Sequence, residues 1–156
     1  MLASVQTSVT ITGQHNKIVL PEPFPCECGG DLYDCPLCFD GLIYPNPDYE
    51  AESTIMVGDR HVSLSQSLKL RDHSVTGFSW GYLGSGPSQL ALAILYTLTG
   101  DPDEALRWYM PFKEDVVGTL VMEAPFEVEF DFDQWKWYRN NGGDRTGIVF
   151  VSGRAV

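Results

Sequence analysis

The chain has 156 residues, 44% of them apolar and 12% aromatic, enough for one ordinary core with a small appended module but not for two full cores. Ten basic against twenty-one acidic residues leave a net charge of -11, which repels phosphate backbones and anionic membranes and argues against direct nucleic-acid binding and any membrane role. No apolar run reaches transmembrane length and the first residues lack a secretory pattern, so the expected setting is cytoplasmic, the host cytoplasm if the chain is viral.

Val5 to Ile11 alternates with a period of two, as a half-buried strand does. Gly13 to Asn16 reads as a turn and Lys17 to Leu20 as a returning strand, which makes residues 1–21 an N-terminal β-hairpin. Pro21, Pro23 and Pro25 then deliver an extended chain to Cys26, Cys28, Cys35 and Cys38. Two close thiol pairs separated by a turn can meet at one tetrahedral centre, and without an export signal they point to metal in preference to disulfides. Four thiolates suit a structural Zn2+ ion, with no open position for catalysis. Iron, labile disulfides and a set that recruits His15, His61 or a nearby carboxylate are the alternatives. Between Glu22 and Glu52 there are eight acids and no lysine or arginine, so this module, residues 22–52, is no DNA-reading finger. It reads as a solvated knuckle or as a docking lobe that offers Leu32, Tyr33, Phe39, Leu42 and Tyr44 to a protein.

Residues 53–156 form the expected α+β core domain. Ser53 to Val57 and His61 to Leu64 flank Gly58-Asp59-Arg60 as a hairpin. Arg71-Asp72-His73-Ser74 is a dense polar cluster, but sequence neighbours point in different directions and make no triad by adjacency. The organising element follows: a glycine loop feeds a helix, from Gln89 to Leu98, that is apolar on nearly every face. Ser85 or Gly86 is the expected N-cap, Pro87 suits the first turn and Gly100 the C-cap. Arg71, His73, Ser85 and Gly86 are the candidate ligand-binding residues, with the helix start as the anion-facing end.

Gly77, Phe78, Trp80, Gly81, Tyr82, Gly84 to Pro87 and Gln89 to Ala93 form a glycine and aromatic pattern. With the surrounding stretch from Ser67 to Val117, it resembles an uncharacterised family of small domains found in bacteria, archaea and their viruses. The resemblance implies no activity.

Asp101 to Glu104 opens a second helix with acids at its positive end, Pro111 breaks or kinks it, and Lys113 to Val121 resumes as a helix. Glu123 to Asp133 alternates phenylalanine and valine with Glu127, Glu129, Asp131 and Asp133, the pattern of an edge strand guarded by like charge. Alternatively the strand ends near Asp131, the N-cap of a short helix that carries Trp135 and Trp137. Ile148 to Val151 reads as a last strand.

The expected fold is α+β, short antiparallel strands packed on a small helical cluster with a zinc-knuckle insertion. Its chemistry residues are sparse and its acid concentrated, so a non-enzymatic interaction protein is the leading expectation, of the kind a virus or mobile element encodes to inhibit or adapt a larger host protein. The partner would present a basic surface to Glu127, Glu129, Asp131, Asp133, Trp135 and Trp137, with imitation of nucleic acid as one route. A ligand-binding protein or enzyme built on the glycine loop and Arg71/His73, and a structural zinc domain in an assembly, are the alternatives.

Overall fold

The computed structural model describes residues 8–17, 22–28, 35–36, 38–39, 41–45, 47–143 and 146–154. The chain forms two compact units, one running to Asn16 and resuming at Tyr49, the other Lys17–Asp48. In chain order the described elements are β1 (Ser8–His15), β2 (Phe24–Pro25), β3 (Leu42–Ile43), β4 (Ser53–Val57), β5 (Arg60–His61), α1 (Leu64–Leu68), α2 (Ser85–Thr99), α3 (Pro102–Asp115), β6 (Phe126–Asp131), α4 (Phe132–Asn140) and β7 (Ile148–Ser152), with a 3-10 turn at Val117–Thr119. The fold is α+β, as the sequence implies, and the cysteine segment is a knuckle-like insertion in it.

The larger unit holds an antiparallel five-stranded sheet in the order β5-β4-β1-β6-β7. Its inner rows, among them Ile11, Ile55, Val57, Val128 and Phe130, join the helices in one core. The centre of that core is α2, where every residue from Gly86 to Leu95 is buried. A helix apolar all round needs neighbours all round, and α1, α3, the 3-10 turn and β4 pack on it. Phe112 of α3 meets Phe130 at 4.9 Å between ring centroids and Trp135 of α4 at 6.0 Å, which joins the helical layer to the sheet.

Several expectations are corrected by tertiary packing. Gly13 is a strand residue, because the Phe126 ring fills the space a side chain there would need. The strand therefore runs on to His15, paired with β4 on one side and β6 on the other. Lys17 is not in a strand, and the rest of the expected hairpin arm, residues 18–20, lies outside the described residues. Leu64 starts a helix instead of ending a strand, since Ser63 caps it by accepting a hydrogen bond from the Gln66 amide at 3.3 Å. For α2 the N-cap is Gly84, just before the expected Ser85 or Gly86, while Gly100 takes the left-handed C-cap conformation with φ 66°.

Helix α3 runs through Pro111. Trp108, Tyr109 and Phe112 are buried on both sides of the proline, and their packing offsets the missing amide. The helix stops at Asp115, short of the expected continuation to Val121. The two β-branched residues and glycine that follow are weak helix formers, and the Val117 carbonyl turns out to accept from the Gly81 amide at 3.0 Å.

Candidate functional site

The small unit is closed by a two-stranded ribbon in which Phe24 pairs with Ile43 and Pro25 with Leu42. Cys26 follows the first strand directly, and its amide donates to the Gly41 carbonyl at 2.8 Å. Gly41, at φ 77°, makes the tight turn that brings Phe39 back against Leu42. The result is a gathering of sulfurs: those of Cys26, Cys28, Cys35 and Cys38 all lie within 4.8 Å of one another. Cys26 and Cys35 are 3.9 Å apart, Cys28 and Cys38 3.4 Å. These exceed a disulfide bond of about 2 Å and bracket the roughly 3.8 Å edge of a tetrahedron with zinc-sulfur bonds of about 2.3 Å. Four thiols this close can hold a metal ion.

Crowding also holds the protons on. The Cys38 thiol is pushed up to about 12, first by its hydrogen bond with Cys28, then by desolvation. At Cys26 the Cys28 backbone stabilises the thiolate, but the Cys28 side chain and burial outweigh it and the net shift is upward. A cation entering this cluster displaces those protons, which is how thiolate sites couple metal to pH. His15 belongs to the larger unit, where it stacks on Trp80 with 4.2 Å between ring centroids and touches the Glu123 carboxylate. His61 lies in β5. Among the described residues, neither histidine joins the cysteines. Of the expected docking residues on the knuckle, Phe39 and Tyr44 are exposed and Leu42 is half-buried, while Leu32 and Tyr33 lie outside the described residues.

The acidic row sits differently from its expected place. Strand β6 is not an edge: β1 and β7 flank it. Glu127 and Glu129 point to the sheet face opposite the core, with Thr12 and Thr10 beside them on β1 and Ser152 and Val149 on β7. Thr10 donates a hydrogen bond to Glu129. Asp131 closes the strand and caps α4, accepting from the Gln134 amide at 2.9 Å. Asp133 is already in the helix, 3.5 Å from Lys136. Glu127 lines an open groove of about 390 Å3 together with Thr12, Gln14, Thr54, Pro125 and Ser152.

The two tryptophans part company. Trp135 is fully buried and donates its indole N–H to Asp115 at 2.9 Å, an acid that also holds Arg139 at 2.9 Å. Trp135 is therefore a core residue, closed to any partner, because it sits on the face of α4 that meets Phe112 and Phe130. Trp137, two residues on, is 58% exposed and edge-on to Tyr138.

The polar cluster at 71–74 is organised by a residue the sequence did not single out. Gln89, fully buried on α2, accepts from the His73 amide at 2.7 Å and the Ser74 amide at 3.1 Å. It donates in turn to Ser67 Oγ and the Arg71 carbonyl. Arg71 and His73 meet at the Tyr109 hydroxyl, which lies 3.2 Å from Arg71 Nη1 and 2.8 Å from His73 Nε2. Desolvation, then the charges of Arg71 and Lys113, lower the His73 pKa, against a smaller upward pull from Asp72. With the guanidinium donating to the phenol oxygen, Tyr109 has its own proton free for a neutral His73 Nε2.

Lys113, four residues after Tyr109 on α3, is buried and donates to Ser88 Oγ at 3.1 Å. Ser85 is exposed at the start of α2, and Gly86 is buried with Ser79 Oγ where its side chain would be. Thus Arg71 and His73 converge on Tyr109, Lys113 and Ser88 form a separate pair, and Gly86 serves close packing. The signal for Lys113 was its helical spacing from Tyr109 and Val116, which put it on a buried stripe.

Compared with known proteins, the chain matches the model of a family of unknown function, DUF6166, over residues 48–137. No curated protein and no solved structure matches it. The matched segment carries β4 to β6, α1 to α3 and most of α4, while β1, the cysteine knuckle and β7 lie outside it. Within it the glycine and aromatic pattern does structural work: Trp80 is fully buried with its indole N–H on the Ala124 carbonyl at 2.7 Å, and Gly81, at φ 91°, passes against the Met122 backbone. The chain belongs to this family.

Proposed function

We propose that this member of the family is a protein-interaction domain: its acidic sheet face docks on a basic protein surface, and its knuckle holds a structural zinc ion. The observation that carries the reading is the position of Glu127 and Glu129 in the interior of a sheet. Alternate strand residues stand about 7 Å apart, and two like charges there repel without guarding an edge. Hydroxyls and valine, not lysine or arginine, stand opposite them. A lysine or arginine from a partner would complete the groove beside Glu127, with Thr12, Gln14 and Ser152 as hydrogen-bonding walls.

Exposed Trp137 on α4 adds an aromatic anchor of the kind enriched at interfaces. Asp131 and Asp133 contribute field more than contact, since one caps α4 and the other lies against Lys136. Zinc is favoured over harder cations because all the ligands are thiols, and its role is structural because four of them close a tetrahedron.

The test is capture from host lysate at low salt with the wild type and with Glu127→Gln/Glu129→Gln, a pair that leaves the Asp131 cap intact. A partner held by the wild type, released as salt rises and lost by the double variant supports the reading. Equal capture by both proteins would sink it. A partner whose retention ignores salt would point instead to an apolar contact within an assembly.

A further inference from the structure

The acidic excess of this chain has a local exception where β5 meets the end of α2. An open groove of about 410 Å3 lies there, with Arg60, His61, Gln66, Tyr96, Thr97 and Gly100 among the residues that line it, and none of its lining residues is acidic. Its size is that of small-molecule sites, about 300–1,000 Å3. The walls stand on fixed elements. Arg60 pairs with Val57 and His61 with Met56 of β4, while Tyr96 and Thr97 belong to the last turn of α2, the helix at the centre of the core. At Gly100 a side chain would meet nothing within 4 Å, so the groove is open at the helix end.

The polar groups of this groove are placed but uncommitted. Among the described residues the Arg60 guanidinium, the His61 ring, the Gln66 amide and the Tyr96 hydroxyl make no hydrogen bond or ion pair. The end of α2 brings the opposite polarity. It is the negative end of the helix dipole and has no basic residue in its last turn. The Leu98 carbonyl lacks its usual donor because residue 102 is proline, and the Asp101 amide that would serve the Thr97 carbonyl goes to Thr99 Oγ1 at 3.1 Å. A permanent cation and a set of free carbonyls therefore share one groove.

We propose that this groove binds a small zwitterion of the amino-acid class, its carboxylate on Arg60 and its ammonium group at the carbonyl end of α2. Arginine matches a carboxylate with two parallel donors. The helix end disfavours a phosphate dianion, and Arg60 disfavours a simple cation, so a molecule carrying one charge of each sign answers both. Tyr96 and Gln66 supply further polar contacts beside the two charges. The site stands independently of the docking face on β6.

The experiment is an amide chemical-shift titration of the full chain with L-alanine and, separately, with 4-aminobutanoate, whose charges stand further apart. Sodium acetate and methylammonium chloride, at matched ionic strength, present each charge alone. Saturable shifts at Arg60, His61, Gln66, Thr97 and Gly100 are expected with an amino acid, and the tighter of the two probes identifies the charge spacing that the groove accepts. Arg60→Gln, which alters an exposed side chain, should weaken binding by about tenfold while the amide signals in the middle of α2 stay in place. Glu127→Gln/Glu129→Gln should bind the same probe as the wild type does. Absence of saturable shifts with both amino acids, an equal response to acetate or methylammonium alone, or unchanged affinity in Arg60→Gln would overturn the proposal.

Discussion

The two units are held together by different physics. In the larger one, Trp80, Trp135, Phe112, Phe130 and the whole middle of α2 are shielded from water, and the sheet and helices share a single core. In the smaller one Cys26 is the one buried residue among those described, and the organisation comes from a two-stranded ribbon and the meeting of four sulfurs. Apolar area supports the first. The second is too poor in core to fold by burial and depends on its ligands. A lobe that carries the four cysteines thus interrupts the larger unit in the sequence, and the family match begins at residue 48, where the lobe ends.

The sharpest way to break this contrast is to remove the metal proposed for the lobe. A chelator, or Cys28→Ser, should collapse the dispersed amide signals of the lobe while those of α2 and the sheet stay in place. A two-dimensional amide spectrum reads both at once, and global loss of signal would show that the core leans on the lobe. Next in size is the pair of tryptophans. Trp135→Ala should cost about 3–5 kcal/mol through the cavity it leaves, and Trp137→Ala within about 0.5 kcal/mol. Urea unfolding measures both, and similar values would contradict the assignment of one to the core and one to the surface.

Gln89→Leu should destabilise the larger unit by about 1–3 kcal/mol, because it strands the His73 and Ser74 amides. The same substitution should raise hydrogen exchange at 73–74 before it does so elsewhere. Asp131→Ala should cost about 1 kcal/mol through loss of the α4 cap, and Glu129→Gln less, which separates the structural acid from the candidate docking acid by thermal melts.

The smallest effect is a pH slope. His73 has a lowered folded-state pKa, so its contribution is fully present above the ordinary histidine value of about 6.5. It is lost as pH falls from there through the lowered value, because the unfolded chain takes up the proton first. His73→Asn should flatten stability between pH 7 and 5 relative to the wild type. An identical slope would mean that His73 titrates normally.

What the sequence disclosed follows from how far each signal reaches. The all-round apolar run of α2 and the strict alternation of β6 are local patterns, and both elements appear where they were read. Alternation tells which residues share a face but not which strands lie beside them, so the interior place of β6 was invisible while its acidic row was not. Gly13 looked like a turn because its reason for being glycine, the Phe126 ring, lies more than a hundred residues away. The cysteine cluster was legible because its members are close in sequence. The meeting of Arg71 and His73 at Tyr109 was not, since it draws on a loop and a helix more than thirty residues apart.

Metal content tests the account most directly. The protein, purified without added metal and measured by elemental mass spectrometry alongside a thiol count, should carry one zinc per chain, show four reduced cysteines after denaturation, and lose the metal in Cys28→Ser. A metal-free chain with its lobe ordered, or cysteines joined in disulfides, would contradict it.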